Sequence, residues 1–180
     1  MNLPSCISER DCIILIGMAG AGKTTVGSLL AKNLGWAFVD SDHIIEASYA
    51  VPLQKIADAL GKEGFIDTEA SIVSELRLSR TVIATGGSVI YRENTMRHLR
   101  TLGPIVYLDV SMGIVLQRIA QNPDRGLAVE KGQTLEELFL ERESLYRRYA
   151  DVSIKSDGLS PEESVDLVLQ SLSELPVRNV

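Results

Sequence analysis

A glycine-rich segment between an apolar run and a helical pattern constrains the fold of this chain most. Residues 17–24 read GMAGAGKT and match G-x-x-x-x-G-K-[ST] at every specified position. Residues 12–17 (CIILIG) are almost continuously apolar, as in a strand buried on both faces of a parallel sheet. From Lys23 onward, apolar residues recur at helical spacing and Gly35 supplies a C-terminal stop. The order strand, glycine loop, helix predicts a phosphate-binding turn.

The residue types of this loop suit a polyphosphate. Glycines let successive backbone N–H groups turn inward and approach phosphate oxygens closely. The following helix directs the positive end of its dipole at the anion. Lys23 can reach the β- and γ-phosphates of a nucleotide, and the Thr24 hydroxyl can ligate Mg²⁺. A glycine-rich turn with no ligand is the alternative, but it requires the motif and both flanking elements to coincide by chance. We therefore predict that a nucleotide polyphosphate, ATP or GTP, binds here with Mg²⁺.

The rest of the chain alternates strand and helix patterns. Further strands are predicted at residues 36–40, 81–85, 104–110 and 152–155. Helices are predicted at 42–50, 52–61, 64–79, 92–102, 111–121 and 134–150, and from Ser160 onward. This alternation predicts a three-layer α/β fold of the P-loop NTPase type, in which helices cover both faces of a parallel five-stranded sheet.

Length and charge limit the alternatives. The 180 residues fit a single domain, with 1–10 as an N-terminal extension and about 122–133, which lack periodicity, as a mobile lid. A net charge of −6 argues against a nucleic-acid partner, because duplex binding depends on Lys and Arg neutralising phosphates. The two cysteines and the absence of a signal peptide or membrane span lead us to expect a cytoplasmic protein, and we expect a monomer.

Three stretches beyond the loop narrow the function. Asp40-Ser41-Asp42 follows the second strand, and residues 84–88 (ATGGS) follow the third. Residues 122–125 (NPDR) lie in the predicted lid, and 141–146 (ERESLY) lie on the next helix. In this order and spacing from the glycine loop, the stretches resemble the shikimate kinase family, which belongs to the nucleoside-monophosphate-kinase-like P-loop proteins. The resemblance runs from about Ile13 to the C-terminus.

The resemblance implies a role for each matching residue. Asp42 would bind the acceptor hydroxyls and could serve as the base. Asp40 would hold a water of the Mg²⁺ shell beside Thr24 or help to polarise the accepting hydroxyl. Arg125 would close over the transferring phosphate, so that Lys23, Asp42 and Arg125 form the catalytic set. Gly86, Gly87 and Arg142 would bind the acceptor with Asp42, and Arg142 would pair with its carboxylate. The implied nucleotide-binding residues are Gly17, Met18, Ala19, Gly20, Ala21, Gly22, Lys23, Thr24, Thr25 and Arg118, with 156–161 as the adenine loop.

Simpler interpretations of these residues also stand. Paired aspartates after a strand commonly cap the next helix. An arginine on a helix rich in Glu and Arg, such as Arg142, usually makes i,i+4 pairs on a solvated face. A GTPase is disfavoured because no Asn-Lys-x-Asp-type segment follows the fourth strand.

The sequence departs from the family pattern on the acceptor side. Where the family usually shows Gly-Glu-x-x-Phe-Arg-x-x-Glu, residues 61–69 read GKEGFIDTE, so Ile66 replaces an arginine. Ser88 replaces the third glycine of the substrate turn, and Gly126 replaces a lid proline. Either another cation such as Arg92 binds the acceptor carboxylate, or the acceptor differs from shikimate. The resemblance implies conversion of shikimate to shikimate 3-phosphate; homoserine, gluconate and a non-catalytic nucleotide-binding role are the alternatives.

Overall fold

The computed structural model describes residues 4, 6–8, 10–121, 127–130 and 132–176. Its centre is a parallel five-stranded sheet with the strand order β2-β3-β1-β4-β5. The strands are β1 (Ile13–Ile16), β2 (Ala37–Asp40), β3 (Thr81–Ala84), β4 (Ile105–Asp109) and β5 (Val152–Lys155). The predicted α/β architecture is confirmed, and all five strands lie within the predicted ranges.

Seven α-helices connect and cover these strands in the part of the chain that is described. They are α1 (Lys23–Leu34), α2 (Ser41–Tyr49), α3 (Leu53–Ser74), α4 (Glu93–Leu102), α5 (Met112–Gln121), α6 (Leu135–Tyr149) and α7 (Pro161–Ser173). Helix α1 packs against α7, whereas α3 packs against α2 and α4. Since parallel strands need crossover connections, the carboxyl ends of all the strands meet at one edge of the sheet, where the predicted site residues follow β1, β2 and β3.

Local capping signals fix the ends of several helices. Thr134 and Glu137 form a capping box at the start of α6, and Ser160 and Glu163 form another at the start of α7. Gly35 ends α1 in the left-handed conformation, with φ 65°. These predicted boundaries are confirmed because each depends only on residues that are neighbours in sequence.

Helix α3 differs from the sequence prediction. The predicted helices 52–61 and 64–79 form one element with a kink at Gly61, whose φ of 67° and ψ of 177° are not helical. The predicted end at residue 79 is wrong, because α3 stops at Ser74. Leu76 and Leu78 still pack on the core, but from a non-helical backbone, so their apolar character was misleading. The backbone N–H of Arg80 donates to Asp11 O at 2.9 Å and leads the chain into β3.

The main core is continuous beneath the edge of the sheet at which the carboxyl ends of the strands meet. Strands β1, β3 and β4 are buried along their whole length, as expected for central parallel strands. A second, smaller apolar cluster lies between α2 and α3 and includes Ile45, Phe65, Ile66 and Ala128. Within the described ranges, every helix is too short or too polar to cross a membrane.

Candidate active site

The glycine loop joins β1 to α1 as the motif predicts. Gly20 and Gly22 have φ values of 82° and 95°, a region that side-chain-bearing residues rarely adopt. The buried Lys23 side chain folds back over the loop, so that its Nζ donates to Gly17 O at 2.7 Å and Met18 O at 2.9 Å. Burial lowers the pKa of Lys23 to about 8, although the carboxylates of Asp42 and Asp40 oppose this shift. The loop therefore presents its cation beside two acidic groups.

Asp40 links the loop to α2. Its Oδ2 accepts a hydrogen bond from Thr24 Oγ1 at 2.7 Å, and its Oδ1 accepts from the backbone N–H of Asp42 at 3.1 Å. Asp40 is therefore the N-cap of α2, as the simpler interpretation expected, and it also contacts the hydroxyl predicted to ligate Mg²⁺. A hydroxyl and a carboxylate are oxygen donors of the kind Mg²⁺ binds when phosphates and water complete its shell, so the pair fits this ion.

Two carboxyl groups, those of Asp42 and Glu69, lie beside Gly86. A Cβ atom on Gly86 would overlap Glu69 Oε1 and lie 2.6 Å from Asp42 Oδ1, which explains the need for glycine at this position. Burial, followed by the charge of Asp40, raises the pKa of Asp42 to about 6. Burial, followed by the charge of Asp42, raises the pKa of Glu69 to about 7. The pocket therefore holds two acids that titrate close to neutrality.

Ser88 anchors Glu69 within this pocket. The Ser88 hydroxyl donates to Glu69 Oε2, while Glu69 Oε1 has no hydrogen-bond partner among the described residues. The backbone N–H of Gly86 donates to Ser41 Oγ at 2.9 Å, so α2 helps to fix the turn. The sequence interpretation did not assign a role to Glu69. Its signals in the sequence were the glutamate that ends the family motif at residues 61–69 and the acidic residue in an otherwise apolar buried stripe of α3.

Arg142 lies on the opposite side of the glycine turn. Its side chain is 1% exposed, and one guanidinium nitrogen would lie 2.9 Å from a Cβ atom on Gly87. It donates from Nε to the Tyr91 hydroxyl at 3.2 Å and from a terminal nitrogen to Ala128 O at 2.9 Å. The interpretation of Arg142 as part of a solvated helix face is therefore wrong. Arg147 on the same helix makes such an i,i+4 pair instead, with Glu143.

Two tyrosines that the sequence interpretation missed hold this region together. The Tyr146 hydroxyl donates to Gly87 O at 2.6 Å, and the Tyr146 ring stacks on Tyr107 at 5.1 Å between centroids. The Tyr91 hydroxyl donates to Glu141 Oε1 at 2.6 Å and accepts from Arg142. Both tyrosines lie far in sequence from these partners, so no local pattern indicates their contacts.

A second pocket lies behind the glycine loop. Arg118 donates to Gly20 O at 2.9 Å, and with Thr25, Ser156 and Pro161 it lines a cavity of about 210 Å³. The structure thus brings Arg118 and the predicted adenine loop together on the side of the loop away from Asp42.

Half of the predicted site residues line one cleft, whereas the described residues Gly86, Gly87 and Arg142 are not part of its lining. A cavity of about 350 Å³ is lined by the loop and by both aspartates, including Lys23, Thr24, Asp40 and Asp42. Predicted residues Arg125 and Gly126 lie outside the described residues. Arg92, one proposed substitute for the missing arginine, is instead bound on the surface by Glu63 at 2.7 Å and Asp67 at 2.9 Å. Ile66 is 1% exposed and belongs to the second apolar cluster.

The fold and this cleft define an ATP-dependent small-molecule kinase, a phosphotransferase with an alcohol group as acceptor. A family model described as shikimate kinase matches residues 19–173. The chain therefore belongs to the shikimate kinase family.

Relatives that match most of the chain agree with this assignment. Shikimate kinase of Chromohalobacter salexigens is 39% identical over 166 residues, covering 91% of this chain and 92% of that protein. Shikimate kinase of Thiobacillus denitrificans is 41% identical over 152 residues, covering 82% of each chain. The structure of shikimate kinase from Acinetobacter baumannii in complex with shikimate matches with a TM-score of 0.82 and 34% identity, covering 89% of this chain and 92% of that one.

Proposed function

We propose that this chain transfers the γ-phosphate of ATP to a hydroxyl group of shikimate. The observation that carries this proposal is the buried Arg142 guanidinium facing the glycine turn, with Asp42 on the other side of that turn. A fixed cation beside Gly87 and a carboxylate beside Gly86 suit an acceptor that carries both a carboxylate and hydroxyl groups.

The nucleotide half of the site supports ATP with Mg²⁺. The backbone N–H groups of residues 17–24 and the Lys23 ammonium would bind the phosphates, and Arg118 would border the adenine. Thr24 and Asp40 would hold Mg²⁺, which when bound neutralises charge on the β- and γ-phosphates. In the described part of the chain, no three His, Cys, Asp or Glu side chains gather to bind a metal without such help from phosphate and water.

The acceptor half would position the hydroxyl group. Asp42, with a pKa of about 6, is mostly ionised at neutral pH and can accept a hydrogen bond from the attacking hydroxyl. Lys23 lies close enough for its charge to act on Asp42, so the nucleophile and the phosphate would meet between these two groups. Positioning and charge stabilisation account for most catalysis of phosphoryl transfer, and this arrangement supplies both. Arg125 would add a positive charge to the transferring phosphate, as the family resemblance implies.

An acceptor panel tests the proposal. ADP release is measured with shikimate, homoserine, gluconate and nucleoside monophosphates, for the wild type and for Lys23→Ala as the matched inactive control. We expect release that depends on shikimate in the wild type and none in the variant. Turnover of homoserine or gluconate without turnover of shikimate would reassign the acceptor. Nucleotide binding without turnover of any acceptor would indicate a non-catalytic protein.

Ile66 is the observation that favours a different acceptor. An apolar side chain at this buried position cannot donate a hydrogen bond to a carboxylate, whereas an arginine there could. If shikimate is bound with ordinary affinity, another group must therefore replace the hydrogen bond that an arginine at position 66 would donate to the carboxylate.

A further inference from the structure

A lysine on the same helix face as Ile66 lies beside Tyr91, the tyrosine that contacts Arg142. Lys62, Ile66 and Glu69 follow the i, i+4, i+7 spacing after the kink in α3, so they share one face of the helix. The neighbouring Glu63 and Asp67 point to solvent, where they bind Arg92. Lys62 instead turns inward, and its side chain is only 11% exposed. This exposure is low for a lysine, which normally keeps its ammonium in water.

The Lys62 ammonium approaches the group that holds Arg142. Its Nζ lies 5.5 Å from the centre of the Tyr91 ring, and the guanidinium carbon of Arg142 lies 5.3 Å from the same centre. Arg142 also donates to the Tyr91 hydroxyl, which in turn donates to Glu141 Oε1. Two cations therefore contact one tyrosine, and one of them is the arginine proposed to bind the acceptor carboxylate.

The present partners of Lys62 hold it loosely. Its ammonium lies 3.2 Å from Glu130 and 3.7 Å from Glu141, and these carboxylate side chains are 66% and 38% exposed. Ion pairs of this length with exposed partners contribute little stability, so an arriving anion can displace them. Arg92 has shorter ion pairs, at 2.7 and 2.9 Å, and its partners lie at the surface. Of these two cations, Lys62 is the one that lies beside the Tyr91 ring, which Arg142 also contacts.

We propose that Lys62 supplies the second positive charge to the carboxylate of the acceptor, beside Arg142. Lys62, one helical turn before Ile66 on α3, would thus supply the positive charge that an arginine at position 66 would provide. The inference rests on the proposed function, because it requires an acceptor that carries a carboxylate. It assigns Lys62 to substrate binding and gives it no part in phosphate transfer.

Steady-state kinetics with Lys62→Met test this role. Methionine keeps an unbranched apolar stem but removes the charge, so we expect the KM for shikimate to rise about tenfold to a hundredfold, the effect of one charge-assisted hydrogen bond. The values of kcat and of KM for ATP should stay at the wild-type level. Lys62→Arg should recover most of the lost affinity. Lys55→Met, which removes an exposed lysine from the same helix, is the matched control and should behave like the wild type.

Three results would overturn the assignment. The first is an unchanged KM for shikimate in Lys62→Met, or in Lys62→Gln if the methionine variant does not fold. The second is an equal increase of the KM for shikimate in Glu130→Gln, because the effect would then depend on the ion pair between Lys62 and Glu130 rather than on the substrate. The third is a wild type that releases no ADP with shikimate, which would also refute the proposed function. If the wild type is active with shikimate and the Lys62 variant has the same KM for shikimate, only the role of Lys62 is refuted.

Discussion

Replacement of Glu69 by glutamine tests the electrostatics of the acceptor pocket directly. The Glu69 side chain is fully buried, and burial is the main cause that raises its pKa from 4.5 to about 7. Glu69→Gln keeps the shape of the side chain and an oxygen that can accept the hydrogen bond from Ser88. It removes the ability to titrate and replaces one carboxylate oxygen with an amide NH₂ group, whose effect does not depend on pH.

The sign of the effect follows from proton linkage. Below pH 4.5 the carboxyl is protonated in both the folded and the unfolded chain, so it imposes no ionic penalty on folding. Between pH 4.5 and about 7 the unfolded chain releases the proton while the folded chain keeps it, and the free energy of unfolding falls as the pH rises. A pKa of about 7 instead of 4.5 corresponds to a loss of about 3 kcal/mol once the pH exceeds both values.

Urea unfolding measures this loss. When the pH is raised from about 4 to about 8, we expect the free energy of unfolding of Glu69→Gln to rise by about 2–3 kcal/mol relative to that of the wild type, as linkage requires. The exposed Glu136→Gln is the matched control and should follow the wild type at both pH values. If the free-energy difference between Glu69→Gln and the wild type were the same at both ends of this range, Glu69 would not hold a proton near neutrality, and the electrostatic account of the pocket would be refuted.

Three further predictions concern turnover. Lys23→Met should abolish ADP release while the chain stays folded by circular dichroism; residual turnover near the wild-type rate would contradict its phosphate role. Arg142→Ala should raise the KM for shikimate about tenfold or more, with Arg147→Ala as the control, because a charge-assisted hydrogen bond is lost. Equal kinetics of the two variants would reject the carboxylate assignment. The wild-type kcat/KM for shikimate should fall as the pH drops through about 6, where Asp42 becomes protonated, and a flat profile would argue against Asp42 as the base.

The phosphate half of the site could be predicted because its determinants are contiguous. Residues 17–24 carry the loop, the cation and the hydroxyl, and the flanking strand and helix are set by local patterns. The capping boxes of α6 and α7 were predictable for the same reason. Each uses a hydrogen bond between residues three positions apart.

The acceptor half could be predicted only in part, because tertiary contacts create it. Tyr146 reaches Gly87 across 59 positions, and Arg142 reaches Tyr91 across 51. Charge patterning on α6 favours an exposed arginine at position 142, but α6 packs against the 3-10 helix Val89–Tyr91 and Arg142 also bonds to Ala128, so the arginine is buried. The inward position of Lys62 likewise depends on the kink at Gly61, because the kink changes which side chains of α3 face the core after it.

Two of the departures from the family pattern, Ile66 and Ser88, lie close to Glu69. Ile66 lies three positions before Glu69 on the same helix face, so an arginine there would place a positive charge near the buried carboxylate. With isoleucine at that position, the Ser88 hydroxyl supplies a hydrogen bond to Glu69 but no charge. A neutral donor stabilises a buried carboxylate less than a cation does, which is consistent with a Glu69 pKa of about 7. With a pKa of about 7, Glu69 is about half protonated at neutral pH, so the absence of a positive charge at Ile66 is offset in part by the lower negative charge of Glu69.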